Sequence, residues 1–252
     1  MKTLFSSRWH RTVAVPLSVL LMGTGLLFSG AASAQITGTA HDFSDNVGAG
    51  NDAWNPSTEI CVVCHTPHNA YEVGEGVAGA SGTRGPLWNR TLSAVNDYTV
   101  YSSTNRVGSF LEASTTGSQT TDPSGVSKLC LSCHDGTIAL DSFGRTGAGA
   151  FEPGTAGNTM QDVRPNANIG EGSGLTGDLS DDHPVAFTFP TTDPEIVGFA
   201  GGFVTGATPL PLFGGGDQME CATCHDVHGT GNDNLLRVDN VGSGLCLNCH
   251  TK

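Results

Sequence analysis

Positive charge is scarce in this sequence, and much of what there is sits at its start. Of its 11 Lys and Arg, three (Lys2, Arg8 and Arg11) precede an apolar run from Thr12 to Phe28 that ends in Ala32-Ser33-Ala34. A basic start, an apolar middle and a small-residue cleavage site read as a secretory signal peptide, 1–34, cut after Ala34. The run approaches the length of a membrane-spanning helix, but Pro16, Gly23 and Gly25 interrupt it. The remaining 35–252 carries 8 Lys and Arg against 24 Asp and Glu, a formal charge of 8 minus 24, or −16. That balance excludes nucleic acid as a partner, because binding it relies on cations that neutralise phosphates. An acidic surface is otherwise simply well solvated. No later stretch is apolar enough to span a bilayer, so the expectation is a soluble, secreted chain, extracellular or at the cell surface, with the periplasm as the alternative.

Aliphatic material for a core is also scarce. The chain has 35 glycines and 12 prolines, many in segments such as VGEGVAGASGTRGP and NIGEGSGLTGD that read as loop. A glycine-rich chain loses much entropy on ordering and has little apolar surface to offset it. Something other than its own side chains must fill the middle.

No cysteine is left over from a single pattern. All eight fall in four copies of Cys-x-x-Cys-His: Cys61/Cys64/His65, Cys130/Cys133/His134, Cys221/Cys224/His225 and Cys246/Cys249/His250. This is the attachment signature of c-type haem. Two thiols on one turn form thioethers with the porphyrin vinyl groups, and the adjacent histidine ligates the iron. Zinc ribbons, thioredoxin-like redox pairs and disulfides are the competing uses. None of them requires a histidine after every pair. Four covalently bound haem c groups, with their iron, are therefore expected.

The histidines fit the same count. Nine occur, and His10 lies in the signal peptide; beyond the four motif histidines stand His41, His68, His183 and His228. Four irons with one ligand each need four more to become six-coordinate. Methionine, the rival ligand, is nearly absent after the signal peptide: only Met160 and Met219 remain, the latter two residues before Cys221. Bis-histidine ligation at all four irons is expected, which leaves no open coordination site and argues against an enzyme.

The motifs alternate in kind, as an internal two-unit repeat, 35–150 and 151–252. CVVCHTPH (61–68) and CATCHDVH (221–228) share a trailing histidine; KLCLSCHDG (128–136) and GLCLNCHTK (244–252) share Leu-Cys-Leu-x-Cys-His. Ahead of each first-kind motif stands one histidine beside acids, His41 and His183. His68 and His228 follow their motif histidines too closely to reach the far face of the same ring, so each must point at a different haem. YTVYSS (98–103) and HPVAFTF (183–189) alternate like short strands, a helical turn is expected after each motif, and 112–127 reads as loop. Asn89-Arg90-Thr91 fits a glycosylation sequon, a pattern too common to carry weight.

The chain resembles the tetrahaem members of the doubled Cys-x-x-Cys-His cytochromes, and among them the OmcE-type extracellular cytochrome filament proteins. The resemblance rests on ICVVCHTPHNA, PLWNR, LCLSCHDGT, DLSDDHPVAF, CATCHDVHG and LCLNCH, in that order. It implies a multihaem cytochrome of mostly irregular chain, with short helices and few short strands, wrapped around four closely packed haems. It also implies identical subunits stacked head to tail, with one distal histidine donated to the neighbouring subunit. His41, seven residues into the mature chain, fits that role, and its folding back onto its own chain is the competing scheme. Redox partners would complete the system.

A chain wrapped on its cofactors cannot fold without them. Expressed without haem attachment, 35–252 is expected to show the far-ultraviolet circular dichroism of an unfolded chain; a cooperative melt of the haem-free protein would contradict this.

Overall fold

The computed structural model describes residues 36–44, 55, 59–67, 87–93, 95–101, 123, 125–143, 159–163, 167–169, 177–191, 193–229 and 231–251. All lie in Gln35–Lys252, one of two units into which the chain divides. Among them, no helix is long and apolar enough to cross a membrane.

Strands are two residues long. The two alternating segments each supply one: β1 (Thr99–Val100) pairs in parallel with β2 (Asp178–Leu179), and β3 (Phe187–Thr188) pairs antiparallel with β7 (Gln218–Met219). Between them β4 (Phe199–Ala200), β5 (Phe203–Val204) and β6 (Leu210–Pro211) form a three-stranded antiparallel sheet. Gly201 and Gly202, at φ of +59° and +82°, make the tight β4–β5 turn, where both central residues must be left-handed.

The cysteine pairs themselves carry helical turns; two further 3-10 turns, Asp233–Leu235 and Val241–Ser243, lie between the third and fourth motifs, and residues 68–86, after the first motif, lie outside the described residues. Cys61–Val63 and Cys246–Asn248 are 3-10 turns, α3 (Cys221–Cys224) is a single α-turn, and α1 (Gly125–His134) is the longest helix among the described residues. α2 (Met160–Val163) lies between α1 and α3. The motif histidine closes each turn: His65 N–H donates to Cys61 O at 2.8 Å, His225 to Cys221 O at 3.1 Å and His250 to Cys246 O at 2.9 Å. The next residues then bond to a remote segment, which a continuing helix could not do. α1 begins at Gly125, so the expected loop over 112–127 is helical in its last three residues. It ends where Gly136, at φ +70°, bonds back to Cys133 O, the usual glycine stop.

Apolar residues gather at the thiols. Val63, Leu140, Phe143 and Met160 form one cluster, with Cys64 and Cys133 against it. Phe189, Val204, Leu210, Leu212 and Met219 form a second, with Cys224 and Cys249 against it. Each small core thus adjoins the second cysteine of two motifs. Tyr98, Leu131 and Leu179 form a third. Residues 160–179, assigned to the second repeat by sequence, pack with the first: Met160 and Ala167 join the first cluster, and β2 pairs with β1.

One buried polar link ties α1 to α3. Ser127 donates from its backbone N–H (3.2 Å) and its hydroxyl to Glu220 Oε2, while Cys221 N–H donates to Ser127 Oγ at 3.1 Å. Burial raises the Glu220 pKa against the lowering effect of these bonds. The folded chain thus favours the protonated acid, so the stability this group adds is full below its ordinary value and is lost as pH rises through the raised one. Ser127→Ala removes the compensation. It is expected to cost about 1–3 kcal/mol at neutral pH and less in acid, read by denaturant unfolding of the holoprotein at both pH values.

Candidate functional site

Three of the four motif histidines sit in the same backbone bridge. Cys64 O accepts from Asn89 N–H and Thr66 N–H donates to Leu87 O, at 2.8 and 2.9 Å, setting His65 opposite Trp88. Cys224 O accepts from Arg237 N–H and Asp226 N–H donates to Leu235 O, both at 2.8 Å, setting His225 opposite Leu236. Cys249 O accepts from Val197 N–H and Thr251 N–H donates to Glu195 O, both at 2.9 Å, setting His250 opposite Ile196. His134, at the end of α1, instead receives one bond, from Ile169 N–H at 2.7 Å.

In the two motifs with trailing histidines the clamp extends further. Asn89 Nδ2 donates to Val62 O, and Arg237 Nε donates to Ala222 O at 2.8 Å, so both grip the first spacer residue of the cysteine pair. Leu87 and Leu235 occupy matching places before the bridge, at φ of +55° and +57°. That left-handed backbone is unfavourable for leucine and persists only where its surroundings enforce it. The buried Asn89 side chain is committed to this clamp.

The second spacer residue is buried in every motif: Val63 is 1% exposed, Ser132 and Thr223 0% and Asn248 2%. Its chemistry varies because each finds its own partner. Ser132 Oγ donates to Lys128 O at 2.8 Å, Thr223 Oγ1 accepts from Glu220 N–H at 3.0 Å, and Asn248 Oδ1 accepts from Thr208 N–H at 2.8 Å. Gly206 backs the last of these so closely that a Cβ there would lie 2.0 Å from Asn248 O. Sequence reasoning passed over these spacer positions and the clamps, although PLWNR stood among the recognised segments. Asp135, directly after His134, is buried and accepts from Ser93 Oγ, Tyr98 Oη at 2.7 Å, Thr137 N–H at 2.9 Å and Thr137 Oγ1 at 2.7 Å.

No disulfide joins the eight cysteines, and among the described residues no three His, Cys, Asp or Glu side chains converge on one point. Burial pushes the Cys64 thiol up to about 12 and Cys224 up to about 11, and raises Cys133 and Cys249. A redox-active pair needs a thiol made acidic; Cys221 is lowered, but through its hydrogen bond with Cys130 of another motif and not through its own pair. The thiols of successive motifs lie near one another: Cys64 near Cys133, Cys130 in hydrogen-bonding contact with Cys221, and Cys224 near Cys249.

The distal candidates separate. His41 lies against His134, ring centroids 6.0 Å apart. Burial first, then the charges of His134, His225 and His228, lower its pKa to about 4. It is therefore neutral at ordinary pH, as a metal-binding imidazole must be. His228 lies near His65, ring centroids 6.3 Å apart and planes 18° from parallel. His183 is exposed, with Nδ1 2.9 Å from Pro184 O. His68 lies outside the described residues. Met160 and Met219 are buried in the apolar clusters.

The donor set fits haem c on two further counts. His134 Nδ1 lies 2.6 Å from Ala167 O and His225 Nδ1 3.0 Å from Asn234 O. A carbonyl there accepts a hydrogen bond from Nδ1–H and leaves Nε2 free to ligate. Two buried donors, Trp88 Nε1 and Arg90 Nε, have no partner among the described residues, and a haem carries propionate carboxylates of the kind they lack. Trp88 meets His65 edge to face, centroids 6.4 Å apart. Arg90 spans from the first motif to the loop after the second, donating to Leu140 O at 2.6 Å and Ala139 O at 3.0 Å.

A family model described as the doubled CXXCH motif matches residues 214–252, which contain the third and fourth motifs. No curated protein matches the chain. The match identifies 214–252 as a doubled CXXCH unit; its cysteine pairs imply covalently bound haem c, and the unit suggests a multihaem cytochrome for electron transfer.

Trp88→Phe keeps the ring beside His65 and deletes the orphaned donor. With a propionate as its acceptor, the loss leaves more negative charge beside one iron and lowers one haem potential, the others being unchanged. Spectroelectrochemical titration reads this, and an unaltered titration would detach the indole from the haem.

Proposed function

We propose that this is an exported tetrahaem cytochrome, each haem held by a cysteine pair and two histidines, that conducts electrons along its haems and polymerises head to tail into an extracellular filament. The observation that carries the electron-relay reading is the succession of thiols. First motif to second, second to third and third to fourth, the attachment cysteines lie near one another. Haems fixed at those points form one unbroken row, with the short chain segments wrapped around it. Eight histidines for four irons support closed coordination at each, which suits electron transfer and gives substrates no iron to bind.

The filament rests on the resemblance and on the logic of the repeat. If each half lends its leading histidine to the half before it, His183 serves within the chain and His41 serves the next subunit. A head-to-tail contact that does not close propagates as a fibre. His41 lies against His134 within one chain, which favours a second reading, a self-contained periplasmic shuttle docking on redox partners. The two readings use the same contact: exchange of the 36–44 arm between chains keeps it and changes only which chain supplies the imidazole.

Negative-stain microscopy of secreted material, with the spin state of iron read on the same sample, separates them. Filaments with four low-spin haems per chain are expected; single particles with four low-spin haems would establish the shuttle. His41→Ala is expected to keep all four haems attached by mass, make one per chain five-coordinate and abolish polymers. Filaments of normal length in that variant would remove His41 from the subunit contact.

A further inference from the structure

The tetrahaem reading leaves open which histidine completes which iron, and two ring pairs bear on that. His65 and His228 have centroids 6.3 Å apart with planes 18° from parallel; His41 and His134 have centroids 6.0 Å apart at 57°. Two imidazoles on opposite sides of one metal ion, each with a metal–nitrogen distance of about 2 Å, have centroids about 6.3 Å apart. Each pair joins one motif histidine to one histidine outside the motifs. In the second pair, Ala167 O engages His134 Nδ1.

Local chain geometry explains how His228 reaches away from its own motif. Asp226 Oδ1 accepts from His228 N–H at 3.1 Å, and Gly229, at φ +89°, bonds back to Asp226 O at 3.0 Å. The chain turns sharply at 226–229, leaving the His228 side chain exposed, with its ring centroid 6.3 Å from that of His65 and the two planes nearly parallel. The same Asp226 is 3.7 Å from His228 Nδ1 and 3.1 Å from Arg237. A carboxylate on the Nδ1 side orients a ligating imidazole.

We propose that His65 and His228 are the two axial ligands of the haem attached at Cys61 and Cys64, and that His41 and His134 are those of the haem attached at Cys130 and Cys133. The second repeat thereby completes a haem of the first. Because His225 and His228 are three residues apart, the proximal ligand of the third haem and the distal ligand of the first move together, and the two haems are held at a fixed separation.

The test uses the holoprotein and a three-haem variant, Cys61→Ala with Cys64→Ala. In the four-haem protein His228→Ala is expected to turn one haem of the four high-spin and able to bind carbon monoxide. In the three-haem variant the same substitution is expected to change none. A new high-spin haem in the three-haem background would overturn the assignment. His41→Ala, with and without Cys130→Ala and Cys133→Ala, tests the second pair in the same way. Should the three-haem chains fail to fold, density at the irons of the intact holoprotein decides: any sixth ligand but His228 at the first haem, or but His41 at the second, refutes the corresponding pair. A parent protein with fewer than four haems, or with a high-spin haem before substitution, would instead refute the tetrahaem reading beneath the proposal.

Discussion

A haem tethered through Cys-x-x-Cys-His has one axial ligand supplied by the tether itself and none on its far face. The histidine closes the turn that carries the cysteines, as His65, His225 and His250 each do, and the few residues after it stay on the same side. A six-coordinate iron, as proposed, would therefore draw its far ligand from distant sequence. Bringing remote histidines to each motif is the constraint that this proposal sets on the chain. It accords with the scant regular structure: apart from the ten-residue α1, the described elements are single helical turns and two-residue strands. Long helices or sheets would add rigidity without placing a ligand.

The apolar clusters obey the same constraint. Two of the three lie at attachment cysteines. Each of these is a handful of residues against the second cysteine of two motifs, where a porphyrin face would add far more buried apolar surface than any side chain present.

What the sequence revealed was what is local and repeated. Four identical spacings and two alternating stretches led to the motifs and to strands β1 and β3, while the histidine count led to a ligand set that stands as a proposal. A helical turn is expected after each motif, yet the cysteine pairs themselves carry one, because the turn and the attachment site are the same residues. The clamps left almost no trace: Leu87-Trp88-Asn89 and Leu235-Leu236-Arg237 share a single leucine and sit at different distances from their motifs. Their resemblance lies in backbone bonds and a left-handed φ, which sequence does not record. The buried spacer residues were hidden for a related reason. Ser132, Thr223 and Asn248 are polar, so hydropathy places them outside, and only their hydrogen-bond partners show why they can be inside.

How the two repeats are aligned follows from which contacts join them. The first cluster takes Met160 and Ala167 from the second half, and the links from the first half to 218–229 are directional: Ser127 with Glu220 and Cys221, the Cys130 thiol with the Cys221 thiol, and His228 near His65. Apolar burial is nondirectional and tolerates sliding, whereas a hydrogen bond weakens steeply away from its preferred distance and angle. An interface of directional links therefore fixes the spacing between the second and third attachment points more tightly than an apolar interface of similar size. For a relay whose rate depends on the gap between successive redox centres, the position of least tolerance is the junction between repeats. It is also where this chain places its buried serine, its buried glutamate and its paired thiols.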